Sequence, residues 1–211
     1  MDFYIAALGR SGSTALSNWL STPPGHVVFH EPGLLGAEPT RLFRLQLDDW
    51  HLSEAEAFDR HWAVKEITGH QAQVEAFEPP RVVLCVRRPR AVALSLFEKH
   101  RRQVNLERFS DSWSADYVIA ECAALRALPD LLDRRGIAWT VARYEDFSEA
   151  ALRAVADFVG WPGGGRPERG FDAFDRGFEL DRGRDRSLPP ECERMADAIA
   201  EQCGGFVARF Y

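Results

Sequence analysis

The stretch that most constrains this chain is Leu8-Gly9-Arg10-Ser11-Gly12-Ser13-Thr14. Before it runs Phe3-Tyr4-Ile5-Ala6-Ala7-Leu8, apolar and free of turn residues, which reads as a buried strand. After it come Ala15, Leu16, Trp19 and Leu20 at helical spacing. A strand, a glycine loop and a helix in this order form an anion cradle. Glycine lets the backbone approach a ligand, and the helix N-terminus aims N–H groups and partial positive charge at it. Ser11, Ser13 and Thr14 add hydroxyls, and Arg10 adds a fixed cation. The alternative is an ordinary strand–turn–helix with a serine cap.

The loop differs from that of nucleotide kinases, which ends in Gly-Lys-Ser/Thr, with the Lys on the terminal phosphates and the hydroxyl on magnesium. Here Ser13 follows Gly12, and Ala7 stands where the first glycine would fall. The cation precedes the second glycine. The reading is therefore a phosphate ligand held without a metal.

A chain of 211 residues fits a single domain, 1–211, with an irregular segment at about 161–190 that is rich in Gly, Pro, Arg and Asp. The formal net charge of -6 argues against general nucleic-acid binding. Against that acidic background, Arg81 to Arg108 holds eight Lys/Arg and two Glu. This segment is either a solvated helix face or the wall of an anion pocket. No apolar run approaches the roughly 18 residues of a membrane span, and none resembles a signal peptide. Cys85, Cys122, Cys192 and Cys203 show no paired metal or redox spacing. These features place the expected setting in a reducing cytoplasm, with no membrane partner. No feature of the sequence specifies an oligomeric state.

Further strands are expected at His26–His30, His61–Ile67, Arg81–Arg87 and Ile137–Arg143. Between them lie helical patterns around Arg41–Leu45, Ser53–Arg60, Gln71–Phe77, Ala91–Lys99 and Ser114–Arg135, the last kinked or divided at Pro129. Asp48 to His51 reads as loop. Asp146 with Glu149 reads as a capping box opening a helix that Gly160 closes, and a last helix spans about Glu191–Gln202. The alternation of strands and helices predicts an α/β fold in three layers, with a mostly parallel sheet of about five strands.

A second anchor lies at Arg87-Arg88-Pro89-Arg90-Ala91-Val92-Ala93-Leu94-Ser95. A strand ends in Arg, Pro opens a helix, and Ser95 follows eight positions after Arg87. Arg87 and Ser95 could then grip one phosphate from two sides.

With both anchors in hand, the chain resembles the sulfotransferases that use 3′-phosphoadenosine 5′-phosphosulfate (PAPS). In that family an Arg/Lys-Ser-Gly-Ser/Thr-Thr loop binds the 5′-phosphosulfate. A later Arg, Pro and Ser segment binds the 3′-phosphate. Arg10-Ser11-Gly12-Ser13-Thr14 matches the first motif and Arg87 to Ser95 the second, in the same order and spacing. Arg143-Tyr144-Glu145-Asp146-Phe147 is similar to the family's Tyr-Glu-Asp segment, which would place Tyr144 near the adenine. The resemblance covers about the first 160 residues. Arg10 in place of Lys is closer to the bacterial and carbohydrate-directed branches than to the cytosolic phenol and steroid branch. The histidine of that cytosolic branch after the third strand has its nearest counterpart in His70. Arg182-Gly183-Arg184 loosely matches the late segment over the 3′-phosphate, so Arg184 is a candidate.

The resemblance implies sulfuryl transfer to a hydroxyl or amine of a small-molecule or sugar-like acceptor, leaving 3′-phosphoadenosine 5′-phosphate (PAP). Arg10 would hold the leaving phosphate. Glu31, before Pro32 at the end of the second strand, is the first candidate base, with capping, or pairing with an arginine, as its alternative. His30 alternates to the opposite face. Lys65 is placed to assist at the sulfuryl oxygens, or to form a salt bridge with Glu66 or another neighbour. His70 is a further candidate base, with a surface loop position as its alternative. The acceptor pocket is expected from Leu34 to His51, Lys99 to Trp113 and Trp161 to Ser187. Lys99, His100, Arg101 and Arg102 are candidate contacts, while Trp50, Trp113 and Trp161 are either pocket walls or packing. Two other readings remain: a non-catalytic nucleotide-binding protein of the same fold, and a metal-dependent P-loop kinase of small molecules.

Overall fold

Arg81-Val82-Val83-Leu84-Cys85-Val86 carries five consecutive apolar residues, and all five are buried. Such a run fits a strand covered on both faces, as happens in a parallel sheet flanked by helices. The computed structural model describes residues 1–21, 25–102, 111–164 and 188–211. Its strands are β1 (Tyr4–Ala7), β2 (His26–His30), β3 (His61–Glu66), β4 (Arg81–Val86) and β5 (Ala138–Arg143). They pair in parallel in the order β2-β3-β1-β4-β5. The expected α/β fold with a five-stranded sheet is thus observed, and the described pairings are all parallel.

The helices are α1 (Ser13–Leu20), α2 (Arg41–Trp50), α3 (Glu54–Phe58), α4 (His70–Phe77), α5 (Pro89–Arg102), α6 (Asp111–Arg135), α7 (Glu149–Val159), α8 (Pro190–Gln202) and α9 (Gly204–Phe210). Alternation along the strands divides the core. Ile5, Ala7, Val83 and Cys85 face α1 and α7 through Leu16, Leu20, Leu152 and Val155. Tyr4, Ala6, Val82 and Leu84 face the other way, against Val74, Phe97, Val118, Leu125 and the C-terminal Phe206 and Phe210. Phe29 and Val27 of β2 are covered by Phe43 and Leu47 of α2 and by Ala57 of α3.

Several elements depart from the sequence expectation. α2 runs on through Asp48, Asp49 and Trp50, and His51 ends it at φ 53. Two carboxylates oppose the dipole there, but Leu47 is buried and Trp50 packs 6.2 Å from Phe29. α6 is not divided at Pro129, and Leu125, Leu128 and Leu132 on either side are buried in the same core. The cap of α7 is Ser148, whose hydroxyl accepts from the Ala151 amide, so the expected Asp146–Glu149 box does not form. Asp146 belongs instead to a 3-10 turn, Tyr144–Asp146. α9 has no counterpart among the sequence expectations, since two glycines open it. Phe206 and Phe210, one turn apart and with ring centroids 4.9 Å apart, hold it against the core. The Arg182-Gly183-Arg184 match and most of the irregular 161–190 segment lie outside the described residues.

The neighbouring strands β1 and β4 send their helices to different faces. α1, after β1, covers one face of the sheet, and α5, after β4, covers the other. β1 and β4 are neighbours, so a crevice opens beyond their carboxyl ends, where open parallel sheets place ligands.

Candidate active site

The crevice receives both sequence anchors. After β1, the Ser11 amide turns back to the Leu8 carbonyl at 3.0 Å. The turn requires positive φ at Arg10 (65°) and at Gly12 (79°). At Gly12 no other residue fits: a Cβ there would lie 2.4 Å from the Tyr144 ring. Gly12 also caps α1, which has no side-chain cap and no acidic residue in its first turn. No carboxylate of α1's own first turn therefore competes for its N-terminal amides. Thr14 and Arg10 are exposed there. Ser11 is not: its hydroxyl is fully buried and points beneath the loop to the Cys85 sulfur at 3.5 Å. Ser11 thus fixes the loop from below and does not add a hydroxyl to the cradle, contrary to expectation. Cys85 is a buried free thiol, and burial pushes its pKa up to about 12.

The second anchor closes on the first. Arg10 Nε donates to Ser95 Oγ at 3.1 Å, and Arg87 Nη1 donates to the Arg10 carbonyl at 3.1 Å. The Arg87 guanidinium stacks 4.2 Å from the centroid of Tyr144, a cation–π arrangement that fixes the planar fork. Arg10, Gly12, Arg87, Ser95 and Tyr144 thus form one cluster, although Arg10 and Ser95 lie 85 residues apart. Beside it, Glu145 accepts from the Arg88 amide at 2.8 Å and from the Tyr211 hydroxyl at 2.6 Å.

The other end of the crevice belongs to β2 and β3. Lys65 is 1% exposed, and its Nζ bonds Glu31 Oε1 at 2.5 Å. Between the readings offered for Lys65, the structure places the ion pair with Glu31. Glu31 leaves strand geometry with φ 49°, its amide bonding the Lys65 carbonyl at 2.6 Å and its carbonyl accepting from Thr40 Oγ1 at 2.8 Å. A non-glycine residue in that region costs of order 1–3 kcal/mol and persists only when its surroundings over-determine it. Lys99, on α5, senses both ends: burial first, then Arg10, depress its pKa, while Glu31 opposes them.

The two histidine candidates are both buried. His30 pairs in register with Lys65, so the two side chains leave the sheet on the same side. Burial, then Lys65, lowers its pKa to about 3, and its Nε2 has no hydrogen-bond partner among the described residues. His70 is not a surface loop residue. It opens α4 at 2% exposure, its Nδ1 lies 2.9 Å from the Tyr4 hydroxyl, and burial lowers its pKa to about 4.

Two site residues had no signal in the sequence. Tyr117 on α6 accepts from the Gly9 amide at 3.0 Å and donates to the Ile67 carbonyl at 3.1 Å, tying the loop to the exit of β3. Glu66 accepts from the Gly33 amide at 3.1 Å. Of the aromatic pocket candidates, Trp161 is packing, 4.7 Å from Phe3 and 4.9 Å from His26. Trp50 packs on Phe29. Arg184 and the side chains of Arg101, Arg102 and Trp113 lie outside the described residues.

The structure overlaps a sulfotransferase from Alicyclobacillus acidocaldarius with a TM-score of 0.56 and 16% identity, over 98% of this chain and 94% of that one. The chain has a sulfotransferase fold. A mouse sulfotransferase, SULT7A1 complexed with PAP, overlaps with a TM-score of 0.49 and 13% identity, over 94% of this chain and 82% of that one. No family model matches the sequence, and no curated protein matches it. Within the sulfotransferase fold, the loop–α1 unit and the Arg87–Ser95 unit occupy neighbouring strands at the ligand edge of the sheet. Among the described residues, no helix is long and apolar enough to cross a membrane.

Proposed function

We propose that the chain is a PAPS-dependent sulfotransferase that moves a sulfuryl group to a hydroxyl or amine of a small-molecule or sugar-like acceptor. The observation that carries this reading is the convergence of Arg10, Ser95, Arg87 and Tyr144 at the β1–β4 crevice of this fold. The donor set suits a ligand with two separated anionic groups and an aromatic base. Two guanidiniums offer fork geometry, the α1 amides are uncapped by side chains, and Tyr144 offers a ring face.

PAPS supplies an activated sulfuryl group, whose bond to the 5′-phosphate oxygen breaks as the bond to the acceptor forms. Arg10 and the α1 amides, with Ser13 and Thr14 in the first turn, hold the 5′-phosphate and stabilise the charge that grows there. Arg87 and Ser95 hold the 3′-phosphate, and Tyr144 lies along the adenine. Glu31 receives the acceptor proton. Lys65 engages Oε1, which leaves Oε2 as the receiving atom. Held at the strand ends, these groups need little reorganisation during transfer.

Calorimetric titration with PAP, without metal, tests the reading. Wild-type protein binds on a micromolar scale, and Arg87→Ala weakens binding about 10- to 100-fold, the worth of a charge-assisted phosphate contact. Absence of wild-type binding would remove the sulfotransferase reading. Binding of ATP with magnesium in its place would revive the kinase.

A further inference from the structure

Glu66 ends β3 with its side chain buried, 7% exposed, directly after the lysine that pairs with Glu31. Its Oε1 accepts the Gly33 amide at 3.1 Å. Gly33 stands two residues beyond Glu31, in a turn where Thr40 also bonds the Glu31 and Pro32 carbonyls. The Glu31 amide also bonds the Lys65 carbonyl and the Gly33 carbonyl accepts from the Gly36 amide, so the chain from Glu31 to Gly33 is held at five points, and two of its residues sit at positive φ, Glu31 at 49° and Gly33 at 66°. One of those points is a carboxyl with no structural need to be ionisable, since a buried amide acceptor could fill the same place. We propose that Glu66 is a positioning residue for Glu31: its ionised carboxylate anchors the Pro32–Gly33 turn, and its protonation slackens that anchor. This rests on the reading of Glu31 as the base.

The electrostatics of the site give the anchor a working range. Burial raises the pKa of Glu66 to about 7; the Gly33 amide opposes this, Glu31 adds to it, and Lys65 again opposes. The other titratable groups around it are Tyr4 on β1, which senses both Glu66 and Glu121, and Tyr117 on α6, which senses Glu121 and Glu31. Glu121 itself is raised to about 7 by burial. An ionised carboxylate is the stronger acceptor for an amide, so the anchor tightens as pH rises through about 7. The strained Glu31 backbone gives the turn a reason to relax when the anchor weakens.

The test has one arm that needs neither donor nor acceptor. In the free protein, the Glu66 side-chain carboxyl carbon and the Gly33 amide nitrogen, followed by NMR, titrate together with a midpoint near 7. In Glu31→Gln the shared midpoint moves down, because a neighbouring negative charge is gone. A Gly33 amide that does not follow Glu66, or a midpoint unmoved in Glu31→Gln, would overturn the proposal. The second arm is kinetic. Wild-type kcat falls as pH drops through that midpoint. Glu66→Gln keeps an amide acceptor without a charge, so its kcat stays near the wild-type low-pH level from about pH 6 to 8 while PAP affinity stays within about twofold. A Gln variant that keeps the wild-type kcat profile would sink the idea. Failure of PAP binding by wild-type protein would instead strike the sulfotransferase reading and leave the NMR arm standing.

Discussion

The two ends of the crevice treat charge differently. At the β1–β4 end, Arg10 reaches a hydroxyl, Arg87 reaches a carbonyl and stacks on a ring, and the helix dipole adds to both. At the β2–β3 end, a buried lysine is matched to Glu31, and Glu66 lies against a backbone amide. The first end gathers two guanidiniums beside the N-terminus of α1. The second is close to neutral within itself, and its charges act on each other. Under the proposed function, binding and proton handling rest on different strands and can be separated by experiment.

The strongest way to break this comparison is Glu31→Gln. If the ends are independent, turnover falls by about 10²-fold or more while PAP affinity by calorimetry is unchanged. A parallel fall in both would show that the ends work as one unit. A variant with full turnover would remove Glu31 as the base.

Gly12→Ala probes the donor end without touching a charge. The added methyl meets Tyr144 in a backbone conformation of φ 79°. The expected cost is about 1–3 kcal/mol of stability, read from the denaturation midpoint, with PAP affinity also reduced because Tyr144 must move.

The smallest effect concerns His30 and sharpens the picture of the β2–β3 end. In the fold its pKa is lowered to about 3 from an ordinary 6.5. Below pH 6.5 the unfolded chain takes up a proton that the native ring refuses, so this group's contribution is complete above 6.5 and is lost as pH falls toward 3. Glu66 and Glu121 act with the opposite sign between their ordinary carboxyl range and about 7. The difference between wild type and His30→Leu isolates the histidine: thermal stability of the variant falls less steeply with acidification over that window. Equal slopes would mean that the ring is not held neutral.

Much of the donor end was legible because its signals are local. A glycine loop before a helix, and an Arg, Pro and Ser at fixed spacing, each stand within a dozen continuous residues, and the structure brings the two together. The sheet was legible for a similar reason, since Val82 to Val86 and Phe3 to Leu8 are apolar runs bounded by charge or glycine. The rest depended on contacts between distant segments. The burial of His70 needs Tyr4, 66 residues away, and Tyr117 reaches Gly9 across 108. α9 begins with two poor helix formers and exists because Phe206 and Phe210 find the core. Asp146 and Ser148 are both good caps, and only the 3-10 turn at Tyr144 decides which is used. The reading of His30 as facing away from Glu31 assumed regular alternation. Glu31 breaks that alternation with its positive φ, and no local pattern announces it.

Among the described residues, four that are not glycine adopt positive φ: Arg10, Glu31, His51 and Glu78. Two of them stand at the crevice and bear its opposite charges. At both positions glycine would relax the backbone, and at both glycine would delete the ionic group. A search for sturdier variants that scored only thermal endurance could drift toward Arg10→Gly and lose the cation, whereas Glu31→Gly would leave Lys65 buried without its carboxylate and cost more than the relaxed angle returns. The molecule's fitness landscape has a conflict written into the Arg10 backbone angle, and any programme to harden this protein should hold those two sites fixed while it explores the others.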